Sequence, residues 1–154
     1  MNDRQTRIRR ARFDDLPALL QLESLFQSDA MTRRTLRRFI SAPNAAFLVA
    51  EHQGRVMGNL LMLTRRDTTL ARIYSVIVSP AARGLGLGRE LVVAAENEAR
   101  QRGCSAMALE VRVDNTVART LYEQLGYALQ KPLPGYYEDE GDGLRLRKPL
   151  RPAA

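Results

Sequence analysis

The chain is expected to fold as an α/β domain, and three observations set that class. Strand-like and helix-like segments alternate along most of its 154 residues. A glycine-rich loop, Arg83-Gly84-Leu85-Gly86-Leu87-Gly88-Arg89, joins a run of strand formers, residues 72–78, to a helical pattern over residues 90–102. No repeat or linker divides the sequence, and its length suits one domain, residues 1–154, with a substantial core.

Residues 6–12 read as the first strand. Asp14 or Asp15 then caps a helix with Leu16, Leu19, Leu20 and Leu22 on its apolar side, running to about Phe26. Thr32 caps a second short helix to about Ile40, whose exposed face carries Arg33, Arg34, Arg37 and Arg38. Residues 45–51 and 55–64 make a hairpin around Gln53-Gly54, and residues 69–78 continue antiparallel. After the glycine loop, Leu91, Ala95 and Ala99 mark the buried stripe of a helix that Gly103 ends. Residues 105–113 form a strand, and residues 116–125 a helix with Val117, Ala118, Leu121, Tyr122 and Leu125 on one side. Residues 127–131 and 144–148 close the domain as a last hairpin.

Composition removes several classes of function. The apolar runs, such as residues 45–50, are far too short to span a bilayer, and Met1-Asn2-Asp3-Arg4 starts no apolar signal segment, so a cytoplasmic protein is expected. One cysteine, Cys104, and one histidine, His52, exclude an internal disulfide and give no metal-ligand cluster. Cys104 starts a strand and reads as a packing residue, and His52 in its turn reads as solvated. The net charge of +7 is mostly arginine, and such a surface attracts polyanions, although compositional bias gives the same total. A nucleic-acid binder would interleave aromatic and basic residues. This chain does not, so direct nucleic-acid binding is not expected.

The glycine loop has the form of a phosphate cradle. Alternating glycines let the backbone approach a ligand, the helix that follows presents unpaired N–H groups, and arginines bracket the loop. A ligand-free strand-to-helix turn would use the same residues. A nucleotide P-loop would need Gly-Lys-Ser/Thr, and Gly88 is followed by Arg89 and Glu90. A dinucleotide fingerprint would need a third glycine at position 89 or 91, where Arg89 and Leu91 stand, although Glu110 lies where a ribose-binding acid would be expected.

The remaining pattern, Arg83-x-x-Gly86-x-Gly88, resembles the pyrophosphate-binding motif of the GNAT superfamily of acyl-CoA-dependent N-acetyltransferases. Tyr74-Ser75-Val76-Ile77-Val78-Ser79-Pro80 resembles that family's fourth strand. Leu109-Glu110-Val111-Arg112-x-x-Asn115-x-x-Ala118-x-x-Leu121-Tyr122-x-x-x-Gly126-Tyr127 resembles its second signature and is close to the RimI-like branch, which acetylates the N-terminal amine of a ribosomal protein. Together these motifs cover residues 70–137. The resemblance implies the GNAT fold, a mixed, largely antiparallel sheet with splayed central strands and about four helices. It also implies acetyl-CoA as cofactor and a monomer or homodimer.

Acetyl transfer to an amine needs a base for the amine, and the departing thiolate benefits from an acid. Glu110, among apolar and small residues, is the candidate base, with desolvation expected to raise its pKa. The other reading is a strand-end carboxylate paired with Arg112 or another arginine. Tyr122 is the candidate acid, placed by the resemblance near the thioester sulfur; its other reading is a core aromatic. Asn115 caps the following helix and, by resemblance, contacts the pantetheine arm. The resemblance also implicates the backbones of Val76, Ile77 and Val78 in holding the acetyl carbonyl and pantetheine, and Arg83, Gly84, Leu85, Gly86, Leu87, Gly88 and Arg89 in holding the pyrophosphate.

For the acceptor, Tyr136 and Tyr137 match paired tyrosines that border the peptide cleft of the related branch. The acidic run Glu138-Asp139-Glu140-Gly141-Asp142 is either an attractant for a cationic amine or a solvated loop tip. Ser28-Asp29-Ala30-Met31-Thr32 lacks the Pro-Trp of the ribosomal enzyme, which counts against the ribosomal alanine terminus as the acceptor. Glu110, Tyr122 and the paired tyrosines make a peptide or protein amine the expected acceptor, with a ribosomal protein among the candidates. A small amine is the alternative, and a non-catalytic acyl-CoA-binding module is the third reading.

Overall fold

In the computed structural model, which describes residues 5–25 and 30–151, the first strand β1 (Thr6–Arg10) leads through a 3-10 turn at Phe13–Asp15 into α1 (Leu16–Glu23). Pro17 falls in the first turn of α1, where a missing N–H costs nothing, and Leu16, Leu19 and Leu22 bury its inner side. The helix end expected at Phe26 lies outside the described residues, as do Met1 to Arg4, Ser28 and Asp29. In α2 (Arg33–Ser41), the Thr32 hydroxyl accepts from the Thr35 N–H at 3.2 Å, Leu36 is fully buried, and all four arginines are exposed.

β2 (Ala45–His52) and β3 (Arg55–Leu63) form the expected hairpin, with Gln53 and Gly54 at φ 53° and 79°. His52 closes β2 and is half-buried, its Nδ1 3.0 Å from the Thr6 hydroxyl; the antiparallel pairing of β1 with β2 takes it out of the solvated turn. β4 (Leu70–Val78) continues antiparallel to β3. A 3-10 turn at Pro80–Ala82 and the glycine loop follow, then α3 (Leu87–Gln101), β5 (Ala106–Arg112), α4 (Thr116–Gln124), β6 (Ala128–Leu133) and β7 (Gly143–Pro149). Cys104, two residues before β5, is buried, and burial pushes its thiol pKa up, as suits a packing residue.

The seven strands make one sheet in the order β1-β2-β3-β4-β5-β7-β6, antiparallel except for the parallel pair β4–β5. With the four α-helices of the described residues around it, this is the mixed, largely antiparallel architecture that the family resemblance implies. α3 crosses β2, β3 and β4 on one face, over a core that includes Leu60, Met62, Leu91, Val92 and Met107. α1 and α2 cover the other face over Phe47, Val49 and Leu61. Among the described residues, no helix is long and apolar enough to cross a membrane and no His/Cys/Asp/Glu group could hold a metal ion.

The site is made possible by a short pairing. β4 and β5 share registers only from Leu70↔Ala106 to Ile73↔Leu109, although both strands run further. Beyond Ile73 the strands part, and at the same level β4 is bulged, with Tyr74 an extra residue between Ile73, opposite Met62, and Ser75, opposite Leu61, which bends β4.

Candidate active site

The parted strands enclose a cavity of about 190 Å³ lined by Val76, Glu110, Asn115, Ala118, Tyr122 and Tyr137, among others. A larger one, about 720 Å³, lies beside it and is lined by Glu23, Thr32, Thr35, Arg72, Tyr136 and Glu138, among others. Tyr74, Ser75, Glu110 and Tyr137 belong to both walls, so the two spaces meet there.

On the β4 side, backbone direction is settled by its neighbour. The Ser79 N–H donates to the Met57 carbonyl at 2.8 Å, and a Cβ on Gly58 would stand 3.0 Å from the Ile77 carbonyl oxygen. Antiparallel alternation then turns the Ile77 backbone toward β3 and those of Val76 and Val78 toward the gap. Of the three expected contributors, Val76 and Val78 thus present N–H and C=O groups to the cavity side, whereas Ile77 is committed to the sheet.

The glycine loop lies between the end of β4 and α3. α3 starts at Leu87, three residues before the expected Glu90, because Gly86 takes φ 76° as its N-cap and Leu87 is buried as an anchor. Gly84 has φ 83°, and a Cβ on either glycine would meet nothing within 4 Å. Leu87, Gly88 and Arg89 lie in the first turn, where N–H groups have no carbonyl of the helix to bond. The Leu87 side chain belongs to the core, so its backbone is what the loop can offer; Leu85 is exposed. Arg83 is exposed at the loop's start, and Arg89 donates to Gln124 at 3.1 Å, tying α3 to α4.

Glu110 sits on β5 one residue past the last register with β4, its side chain 8% exposed. The expected apolar surroundings are not what its carboxylate meets. Arg72 Nη2 donates to Oε1, and Arg145 Nε donates to Oε2 at 2.9 Å. The pairing follows from topology: Arg72 precedes the parting of β4 from β5, and Arg145 is the β7 register partner of Glu110. Arg72 also lies 3.5 Å from the Tyr136 hydroxyl. Burial works against its charge, but Glu110 and Tyr136 outweigh burial and hold its pKa above the ordinary arginine value. Arg112 instead lies over the Tyr137 ring, 4.3 Å from its centroid, and bonds Asp139 at 3.1 Å.

Tyr122 is buried on α4 and its ring meets Tyr127 edge-on at 5.7 Å. Burial, with Tyr137 nearby, pushes its pKa up to about 12. That shift is opposite to the one proton transfer to a thiolate would need. Asn115 caps α4 as expected, accepting from the Ala118 N–H at 3.2 Å, and lines the smaller cavity.

Tyr136 and Tyr137 pack edge-on at 5.0 Å in the loop between β6 and β7. In the acidic run, Asp139 binds Arg112 and the Gly141 N–H, and Asp142 accepts from the Gly135 N–H at 2.9 Å. Both carboxylates therefore fold the loop, leaving exposed Glu138 as the member that lines the larger cavity. Sequence reasoning did not single out Glu23, Arg72 or Arg145 for the site. Glu23 carried a weak signal as an acid at the end of an apolar helix; Arg72 and Arg145 carried none, since only strand order brings them to Glu110.

Residues 11–127 match the acetyltransferase (GNAT) family. The chain is 37% identical to an uncharacterized N-acetyltransferase of Methanocaldococcus jannaschii over 143 residues, 92% of this chain and 90% of the relative. It is 33% identical to the N-alpha-acetyltransferase MAK3 of Arabidopsis thaliana, covering 86% of this chain and 70% of that protein. The crystal structure of the ribosomal-protein-S18-alanine N-acetyltransferase from Escherichia coli superposes with a TM-score of 0.84 at 24% identity, over 97% of this chain and 96% of that one.

Proposed function

The chain belongs to the acetyltransferase (GNAT) family, and on that premise we propose that it moves the acetyl group of acetyl-CoA to a primary amine by direct attack in a ternary complex. The acceptor in this reading is a protein or peptide amine, an N-terminus before a lysine, because the Arabidopsis relative carries an N-alpha-acetyltransferase name. Residues 1–154 then constitute one acetyltransferase domain acting in the cytoplasm. The observation that carries the proposal is the position of Glu110, in the wall of both cavities where the gap between β4 and β5 opens into the larger space.

The residues present suit acetyl-CoA. Gly84 to Arg89 offer a side-chain-free approach and first-turn N–H groups for the pyrophosphate, with Arg83 at its entrance. Val76 and Val78 offer backbone groups, and Asn115 and Tyr122 wall the slot for the pantetheine arm. When bound, acetyl-CoA supplies an activated acetyl group and a thiolate leaving group. Glu110 takes the amine proton, with the lone pairs its two guanidinium partners leave available. The backbone N–H groups of Val76 and Val78 are the donors for charge growing on the acetyl oxygen. Tyr122, which holds its proton up to about pH 12, steadies the sulfur by donating a hydrogen bond more readily than by giving up the proton. Tyr136 and Tyr137 border the acceptor. Acetylation of a small amine is the second reading, favoured by the three carboxylates of Glu23, Glu110 and Glu138 in the larger cavity's wall.

Thiol release from acetyl-CoA, followed with N-terminal peptides, lysine peptides and small amines, tests the proposal. Glu110→Gln is expected to lower kcat by about 10²- to 10⁴-fold while acetyl-CoA binding changes little. Unchanged turnover at every pH would remove Glu110 from the chemistry. Tyr122→Phe is expected to lower kcat with cofactor affinity retained; lost affinity would make Tyr122 part of the binding wall instead.

A further inference from the structure

The larger cavity holds a buried group that the chemistry above leaves unused. Glu23 is the last residue of α1 and is 3% exposed. Its Oε1 accepts the Met31 N–H at 2.7 Å. Its Oε2 is buried and has no hydrogen-bond donor among the described residues, yet Glu23 lines the same cavity as Glu110. A buried carboxylate oxygen without a donor is costly, and a cation that reaches it recovers the cost.

The rest of the wall indicates what kind of donor fits. Glu110 is already matched by Arg72 and Arg145, and Arg72 also reaches the Tyr136 hydroxyl, so the carboxylates of Glu23 and Glu138 have no cation of their own among the described lining residues. Around Glu23 the wall is short of positive charge, despite the basic character of the whole chain.

We propose that Glu23 selects the acceptor, its Oε2 binding a second cationic group that the acceptor carries besides the amine to be acetylated. Preferred acceptors are therefore dicationic. The inference rests on the acetyltransferase reading of the site. Two sources share this chemistry, an N-terminal peptide segment with a basic side chain and a small diamine. A charged donor suits the site better than a neutral one because hydrogen bonds between ionised partners are the stronger kind and the carboxylate is screened from water.

The test compares peptides carrying arginine at the second or third position with the same peptides carrying neutral, isosteric citrulline; butanediamine against butylamine forms a second arm. The wild type is expected to favour the arginine peptide by about tenfold in kcat/KM, seen mainly in KM. In Glu23→Gln, which keeps an acceptor for the Met31 N–H, that ratio falls to about one, and Glu23→Asp, which keeps the charge, retains part of it. A preference confined to the diamine arm supports Glu23 as selector and identifies the source as a small molecule. No preference in either wild-type arm, or an undiminished one in Glu23→Gln, overturns the proposal. If no amine is turned over, the catalytic reading fails, and calorimetry decides the inference separately. Arginine and citrulline peptides binding the wild type equally, or Glu23→Gln as selectively as the wild type, would then overturn it.

Discussion

Helix α1 has a buried carboxylate at each end, and the two are treated in opposite ways. At the start, Asp15 is 7% exposed and every bond it needs is made: Arg9 donates to both oxygens at 2.8 Å, and the Arg12 N–H donates at 2.7 Å. Arg9 reaches on to Glu51 at 3.0 Å, so the cluster joins β1, β2 and the entry to α1. At the far end, Glu23 is more deeply buried and half-bonded. Glu96 on α3 follows the pattern of Asp15, accepting from Tyr127 at 2.7 Å and Lys148 at 2.9 Å. A satisfied buried acid is a joint. Glu23, in a cavity wall, has one oxygen unmatched among the described residues, and that free capacity is what a ligand can use.

The largest expected effect breaks the joint. Asp15→Ala leaves Arg9 buried with Glu51 as its remaining carboxylate and should cost about 3 kcal/mol, read as a lower urea midpoint at neutral pH. The hydrogen bond from Arg9 lowers the Asp15 pKa below the ordinary aspartate value, with smaller help from the Arg12 N–H against the cost of burial. Its contribution is therefore present above about pH 3.9 and is lost as the pH falls through the lower folded value. Wild type and variant should converge only in strong acid. A gap of similar size at every pH would mean that Asp15 acts by packing and not by charge.

Glu23 should show the reverse sign. Burial raises its pKa, and the Met31 N–H offsets this only in part. The relative stability it confers is present below the ordinary glutamate value of about pH 4.3 and is lost as the pH rises through the higher folded value. Glu23→Gln should therefore be more stable than wild type by about 1 kcal/mol near neutral pH and equal to it in acid. A variant less stable than wild type at neutral pH would show that the charge is already well matched in the free protein, and the contrast with Asp15 would collapse.

How much of this was legible in the sequence divides along the same line. Period, caps and turns are local, so the helices, the Gln53-Gly54 hairpin and the Asn115 cap could be read directly. The glycine loop is legible because glycine spacing is local too, although α3 starts three residues before the expected Glu90, since Leu87 and Gly88 look like loop in the sequence and form the first helical turn in the fold. The strand order could not be read, and with it went the partners of Glu110. Arg72 and Arg145 are 38 and 35 residues from it and become neighbours only because β4 and β7 flank β5. The acidic loop is one charged run in the sequence, but in the fold backbone N–H groups and Arg112 claim Asp139 and Asp142.

Asn59 sharpens the comparison with the smallest expected effect. It is fully buried on β3 between Val49 and Ile77, and neither Oδ1 nor Nδ2 of its side chain has a partner among the described residues. In that respect it resembles Glu23, but it lines neither cavity. If unmatched buried polarity signals a ligand only where a cavity reaches it, Asn59 is a plain cost. Asn59→Val, which suits a strand and removes the unbonded amide, should then raise stability by about 1 kcal/mol and leave the preference between arginine and citrulline peptides unchanged. Loss of that preference would mean that polarity beneath α1 tunes acceptor choice from a distance, and the distinction between joint and site would have to be redrawn around the whole helix.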